Sequence, residues 1–361
     1  HFESDFSSLD IILPLGISFY TFQSMSYTID IYRKKYVPYN SIIKFALYVS
    51  FFPQLIAGPI VRADYFKKQI DRKIKISFKL FNMGISLFII GCFKKIVLAD
   101  QAAVFANEFF SNPSSYTSFI SMIGVLSFSF QIYFDFSGYT DMARGLGYML
   151  GFKLPKNFLH PYGALGIKDF WRRWHLSLSS WLRDYLYIPL GGSRVNGLRT
   201  KINLFITMLL GGLWHGASWN FVIWGGIHGL LLSLENYLTS IFNFNIENKI
   251  IRFCLRLLTF LIVCFAWIFF RAESFSDSII ILKQLMFIDD NDFLHQMNFF
   301  GLRNWIFGII LPSLVLVIGS IRPIDKSFKN YEFYGMLLIL VLLMMILLVG
   351  GGGNEFIYFQ F

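Results

Sequence analysis

The chain alternates between long apolar runs and short, mostly basic links. Runs near 20 apolar residues match the hydrocarbon thickness of a bilayer. Phe78 to Phe93, Thr117 to Phe134, Ile250 to Phe270, Trp305 to Ser320 and Tyr334 to Gly350 read as membrane spans. Ser41 to Ile60 is also apolar but holds Pro53 and Gly58, which predicts a broken or re-entrant helix. Irregular backbone survives at membrane depth only where protein or a cavity covers it. The link with Arg62, Lys67, Lys68, Arg72, Lys73 and Lys75 reads as cytoplasmic, because basic residues collect on that side. Lys94 and Lys95 follow the first span and leave its orientation open. Asp135, Ser137, Tyr139, Asp141 and Arg144 form a polar cluster at the end of the second. Asp30 and Arg33 read as a solvated loop pair, Lys153 to Tyr162 as a basic loop holding His160, and Glu273 to Phe300 as a polar loop with Asp289, Asp290 and Asp292. Gly350 to Gly353 reads as flexible punctuation.

The stretch from Lys168 to Glu235 departs from this pattern. Its first half fits one helix. Trp171, Trp174, Leu178, Trp181, Leu182 and Tyr185 share a face, with Arg172, Arg173, Ser177, Ser180, Arg183 and Asp184 opposite. Pro189 and Gly191-Gly192 end it. A cationic face opposite a tryptophan face suits a helix lying in the membrane interface. His175 falls at the edge of the apolar face, as a residue that binds a neighbouring carbonyl or as a functional one. In the second half, the apolar run Ile202 to Leu213 leads into Trp214-His215-Gly216. Gly212 and Gly216, and Gly225 and Gly229, have the spacing that lets helices approach closely in lipid. A buried imidazole is costly unless it has a partner or a task. His215 is therefore either a packing histidine joining two helices or a neutral ring able to accept a proton.

Composition fixes the class. The 361 residues are 55% hydrophobic and 19% aromatic, which excludes a soluble domain and predicts an all-α, polytopic membrane protein with re-entrant and interfacial helices. The net charge of +10 sits in short links rather than in any nucleic-acid-binding motif, so it points to anionic lipid and not to nucleic acid. Cys92, Cys254 and Cys264 form no paired framework and read as core residues. GLGYMLG from Gly145 misses a dinucleotide fingerprint at Leu150 and has no strand before it. No GxSxG elbow, HExxH helix or P-loop is present, and the spacing of His175, His215 and His228 fits no common zinc site. What remains is histidine acid–base chemistry in a membrane cavity.

FWRRWHLSLSSWLRDYLYIPLGG and LGGLWHGASW resemble the two signature segments of the membrane-bound O-acyltransferases, in the bacterial branch that acetylates polysaccharides such as alginate and peptidoglycan. LGISFYTFQSMSYTIDIYR, FPQLIAGPIVR, YFDFSGYTDMARGLGYMLGF and the terminal FIYFQF agree, so the resemblance runs from Leu15 onward. It implies that residues 1–361 form one membrane-embedded domain of that fold, preceded in family members by further hydrophobic segments. It implies a catalytic role for His215 and a second functional histidine in His175. Arg172, Arg173 and Arg183 become candidates to attract donor phosphates, with Trp174, Asp184, Trp214 and Asn220 beside them as substrate-binding residues. Backbone N–H groups freed near Gly211 and Gly212 would share the developing oxyanion with His175.

The resemblance implies an O-acetyltransferase component of the bacterial inner membrane. It would have no bound cofactor and would use acetyl-CoA as the cytoplasmic donor. The acceptor would be a cell-envelope polysaccharide, reached directly or through a periplasmic transferase of the SGNH-hydrolase type. The alternative from the residues is a transporter or flippase of an envelope glycan or lipid, since broken helices and intramembrane polar groups occur there too.

Overall fold

The computed structural model describes residues 16–55, 58–241, 247–287, 293–321, 332–350 and 356, and among them every regular element is helical. The first elements are short: α1 (Ile17–Tyr32), α2 (Ile42–Ser50), α3 (Phe52–Leu55) and α4 (Ala63–Ile70). Then follow α5 (Phe78–Phe93), a π-helical turn (Lys94–Ala99), α6 (Asp100–Ser111) and α7 (Ser118–Met149). The central stretch gives α8 (Ile167–Trp171), α9 (Leu176–Leu182) with a π-helical extension (Arg183–Tyr187), α10 (Gly197–Trp214) and α11 (Trp219–Ile241). The remainder is α12 (Lys249–Arg271), α13 (Phe275–Met286), α14 (Phe293–Asn304), a π-helical turn (Trp305–Ile310), α15 (Leu311–Ile321) and α16 (Glu332–Val349). Phe78–Ser111, Ser118–Met149, Lys249–Arg271 and Gln296–Gly319 are long and apolar enough to cross a membrane.

The interrupted run Ser41 to Ile60 does break, at Phe51, where the backbone turns extended between α2 and α3. Other expectations need correction. The second span does not stop at its polar cluster. α7 runs unbroken through Asp135, Ser137, Asp141 and Arg144, because lysines of the π-helical turn beside it compensate Asp135 and Asp141, and Arg144 pairs with Asp141. Lys95 bridges Asp100 at 2.8 Å and Asp135 at 2.7 Å, and Lys94 holds Asp141 at 2.6 Å. Glu273 to Phe300 is not a loop. Ser274 and Asp277 form a reciprocal capping box that starts α13, and α14 follows. Asp289, Asp290, Asp292 and Gly351 to Gly353 lie outside the described residues. Asp30 is no solvated loop residue: it is buried on α1, receives the Tyr185 hydroxyl and pairs with Lys35 at 3.0 Å, not with Arg33. Of the cysteines, Cys264 is buried and Cys92 half-buried, but Cys254 is exposed. An apolar helix facing lipid exposes apolar residues on its outer side, so membership of such a run does not imply burial.

Two close helix contacts organise the bundle. α5 and α7 run antiparallel with Gly91 against Gly138 and Gly84 against Gly145. A methyl added at Gly91 would lie 2.6 Å from the Gly138 carbonyl oxygen, and one at Gly145 would lie 2.6 Å from that of Gly84. α10 and α11 pack as closely: a methyl at Gly225 would lie 2.5 Å from the Met208 oxygen, and one at Gly229 would meet Phe205 at 3.0 Å. Gly212, Gly225 and Gly229 of the small-residue spacing thus mark the α10–α11 contact, whereas Gly216 lies beyond α10 and meets only the Phe221 ring. The α5–α7 contact follows a seven-residue spacing, Gly84 to Gly91 and Gly138 to Gly145, outside the four-residue small-residue pattern.

Candidate active site

His175 sits where the expected central helix is broken. α8 ends at Trp171, and His175 has the left-handed φ of 41° before α9 begins. A bulky residue in that region is strained and persists only when its surroundings over-determine it. Asn157 supplies much of that restraint. Its carbonyl accepts the Leu176 N–H at 2.9 Å and its Oδ1 accepts the Ser177 N–H at 3.1 Å. Ser177 Oγ in turn accepts the Ile60 N–H at 3.0 Å, so the broken α2–α3 segment is tied to the same turn. The His175 side chain is 1% exposed, and neither ring nitrogen has a hydrogen-bond partner among the described residues. Phe136 meets its ring edge-on at 4.7 Å, and Phe19 stacks at 6.4 Å. His175 lies outside the four spanning helices. Burial first, and the neighbouring His215 second, push its pKa well below the ordinary imidazole value.

His215 caps α10, with its N–H donating to the Gly212 carbonyl at 3.0 Å. Its ring is enclosed by Trp214 at 4.7 Å, Phe270 at 4.9 Å, Trp224 at 5.3 Å and Phe221 at 6.1 Å, yet the residue stays half-buried. Phe221 and Phe270 also wall a cavity of about 420 Å³, whose other lining includes Asn107, Ser218, Asn220, Arg271 and Glu273. Asn220 donates to the Ala272 carbonyl at 2.8 Å, while its buried Oδ1 has no partner among the described residues. The two histidines are joined through α1: Phe19 packs on His175 and on Trp214, and Phe22 stacks on Trp214 at 5.1 Å.

The other candidates separate. Trp174 is a core residue, 2% exposed, packed on Phe158 and Trp267. Arg172 is exposed, and Arg173 is occupied by Asp169 at 2.9 Å one turn back. Arg183 and Asp184 lie apart from these, pairing with each other at 2.8 Å and, through Asp184, with Arg62 at 3.2 Å. Gly211 and Gly212 are inside α10, so their N–H groups belong to the helical ladder and are not free for an oxyanion. His228 is fully buried; its Nδ1 accepts the Trp171 indole N–H at 3.3 Å, which fastens α11 to α8. Among the described residues no group of three His, Cys, Asp or Glu side chains could hold a metal. Sequence reading missed Asn157, Phe19, Phe22 and Phe136. None carries a motif, and only the LGISFYTFQ and YFDFSGYT segments that hold the three phenylalanines had been singled out.

Residues 37–275 match the model of the membrane-bound O-acyltransferase family, a stretch that contains both histidines and the cavity. The chain belongs to that family. It is 40% identical over 322 residues to a peptidoglycan O-acetyltransferase of Helicobacter pylori, covering 81% of this chain and 60% of that protein. It is 46% identical over 266 residues to a probable alginate O-acetylase, AlgI, of Pseudomonas aeruginosa, covering 73% of this chain and 50% of that one. A teichoic acid D-alanyltransferase of Bacillus subtilis is 29% identical over 291 residues, covering 74% of this chain and 70% of the relative. The chain thus spans 50–60% of the length of the first two relatives. These relatives are named for transferring acyl groups to peptidoglycan, alginate or teichoic acid.

Proposed function

We propose that this chain is the acyl-transferring part of a bacterial inner-membrane O-acetyltransferase that modifies a cell-envelope polysaccharide, with acetyl-CoA as donor. The observation that carries the reading is the placement of His215: half-buried, among aromatic rings, and sharing two walls with a polar cavity. Such surroundings favour the neutral imidazole. A hydroxyl in the cavity gives its proton to His215 as its oxygen bonds to the thioester carbonyl carbon. The carbon–sulfur bond then breaks, and the departing thiolate takes the proton back from the imidazolium. General base catalysis of this kind contributes about 10²–10⁴-fold. Asn220 and Arg271 offer hydrogen bonds to the acceptor in the cavity. His175, strained and buried beside the same aromatic cluster, positions the donor or steadies the developing charge. Transfer to the final polysaccharide is direct or is relayed through a periplasmic transferase of the SGNH-hydrolase type.

The test is radiolabelled acetyl transfer in proteoliposomes containing the full-length protein, with flux of unmodified glycan measured alongside. Labelled acetyl appearing on the acceptor side, without glycan flux, is the expected result. Glycan movement without acetyl transfer would instead make the protein a transporter.

A further inference from the structure

A second cavity, of about 330 Å³, lies on the flank of the α5–α7 ion network and shares no lining residue with the one beside His215. Its polar side is formed by Ser137, Asp141 and Arg144 of α7, Lys94 of the π-helical turn, and Lys156 and Asn157 of the loop before α8. Three cations thus face one carboxylate. Lys94 and Arg144 both pair with Asp141, at 2.6 and 2.8 Å, while Lys156 is exposed. The charges of the network are met, but three polar groups are left over. Ser137 Oγ, Arg144 Nε and Asn157 Nδ2 are buried without a hydrogen-bond partner among the described residues. The three residues are 1%, 8% and 1% exposed. A buried donor left unmade is costly, so three of them around one cavity call for a shared acceptor. Surplus cation and surplus donors together suit an anion that only accepts, and a guanidinium fork suits a phosphate oxygen.

The opposite wall is apolar and borders the bilayer. Leu87 and Ile90 of α5 and Val315 and Leu316 of α15 form it. Both helices belong to stretches long and apolar enough to span. On α15 the adjacent Leu314, Val317 and Ile318 are 52%, 59% and 57% exposed, so this face meets hydrocarbon. Depth follows from helix length. The 32 residues of α7 make about 48 Å of helix, against about 30 Å of hydrocarbon. Arg144 lies in the last two turns of α7, and Gly319, also on the cavity wall, ends the apolar stretch Gln296–Gly319. The cationic end of the cavity therefore sits at headgroup level. Arg72 of the basic link donates to the Gly151 carbonyl at 3.0 Å just past α7, which puts that link at the same end. A volume of about 330 Å³ is at the small end of ligand cavities, with room for a headgroup but not for its chains.

We propose that this cavity binds the phosphate of an anionic phospholipid headgroup, with the acyl chains lying outside along α5 and α15. Arg144 Nε, Asn157 Nδ2 and the Ser137 hydroxyl donate to the phosphate oxygens, and Lys156 balances the charge at the mouth. The site does not need the acyl-transfer reading. It does abut the turn of His175, because the Asn157 carbonyl and Oδ1 hold that turn. A free phosphate offers the same oxygens, and the experiment separates the two sources.

The full-length protein in detergent is incubated with equal amounts of phosphatidylglycerol and phosphatidylcholine, and retained lipids are counted by native mass spectrometry. Wild type is expected to retain phosphatidylglycerol in about 10-fold preference. Lys156 is exposed, so Lys156→Glu tests the charge without threatening the fold. A methyl at Gly319 would lie 3.2 Å from His160 Nδ1, so Gly319→Leu fills the cavity without touching a charge. Arg144→Gln removes the buried fork. Each is expected to abolish most of the preference, with Arg144→Lys falling between. If Arg144→Gln fails to fold, the other two decide. Equal retention of the two lipids by wild type overturns the proposal, as does an unchanged preference in both Lys156→Glu and Gly319→Leu. Inorganic phosphate binding to delipidated wild type but not to Gly319→Leu, with no phosphatidylglycerol retained by either, assigns the cavity to a soluble anion and also overturns it.

Discussion

Two regions of this bundle bury polar groups, and they do so in opposite ways. Between α5, the π-helical turn and α7, each buried charge meets its opposite. Lys95 lies between Asp100 and Asp135, and Asp141 receives both Lys94 and Arg144. Between α9, α10 and α11, imidazoles are set among aromatic rings, and His175 has both nitrogens unpartnered among the described residues. Charge in an apolar medium is tolerated when it is compensated on the spot. A neutral ring left uncompensated gains little stability, and that arrangement keeps it available for a proton. The first region reads as framework, and the second is the one we propose for chemistry.

The sharpest way to break this comparison is to exchange single histidines. His215→Gln keeps size and hydrogen bonding but cannot act as a base near neutral pH. Acetyl transfer, measured as acetyl released from purified glycan per unit of protein, is expected to fall by about 10²-fold or more while membrane abundance holds. His228→Gln alters the partner of the Trp171 indole and should be far milder; equal loss in both would remove the distinction between base and fastening. His175→Ala is expected to lose most activity with the protein still in the membrane, and near wild-type activity would return it to packing.

The ion network calls for the opposite signature. Lys95→Met removes the cation that bridges two buried carboxylates and is expected to cost about 3–5 kcal/mol of stability. The readout is a lowered unfolding midpoint in detergent and reduced abundance, with activity per folded molecule largely kept. An unchanged midpoint would show that the network is not framework.

Gly91→Leu forces a side chain into the Gly138 backbone and should separate α5 from α7, at about 1–3 kcal/mol for overpacking. A compensating loss at Gly138 is not available, so the midpoint should not recover in a Gly91→Leu/Gly138→Ala double variant.

The smallest effect belongs to the exposed pair Lys44–Asp71, 2.5 Å apart. The hydrogen bond from the Lys44 ammonium holds the Asp71 carboxyl below its ordinary value of 3.8. Because the folded value is the lower one, any stabilisation is present above pH 3.8 and fades as pH falls through the folded value. Asp71→Asn should therefore shift the midpoint slightly at pH 6 and not at all at strongly acidic pH. Water screens a pair this exposed, so a large shift at pH 6 would contradict the geometry.

Much of this protein was already written in the order of its residues. The apolar runs fixed a helical membrane protein, Pro53 marked a real break two residues before it at Phe51, and the Gly225–Gly229 spacing marked a real helix contact. The residue types around His175 and His215 marked both as candidates, because an imidazole in an apolar run stands out locally. Other features depended on partners far away in the chain. Periodicity predicted one helix from Lys168 onward, since period alone cannot register that Asn157 holds His175 in a left-handed turn. The end expected at Asp135 failed because the compensating Lys95 sits on another helix. Arg62 read as a link residue and Arg183 as part of a helix face, and nothing local showed that Asp184 joins them. Local pattern decides which segments avoid water; only tertiary packing decides which buried polar groups find a partner and which are left for chemistry.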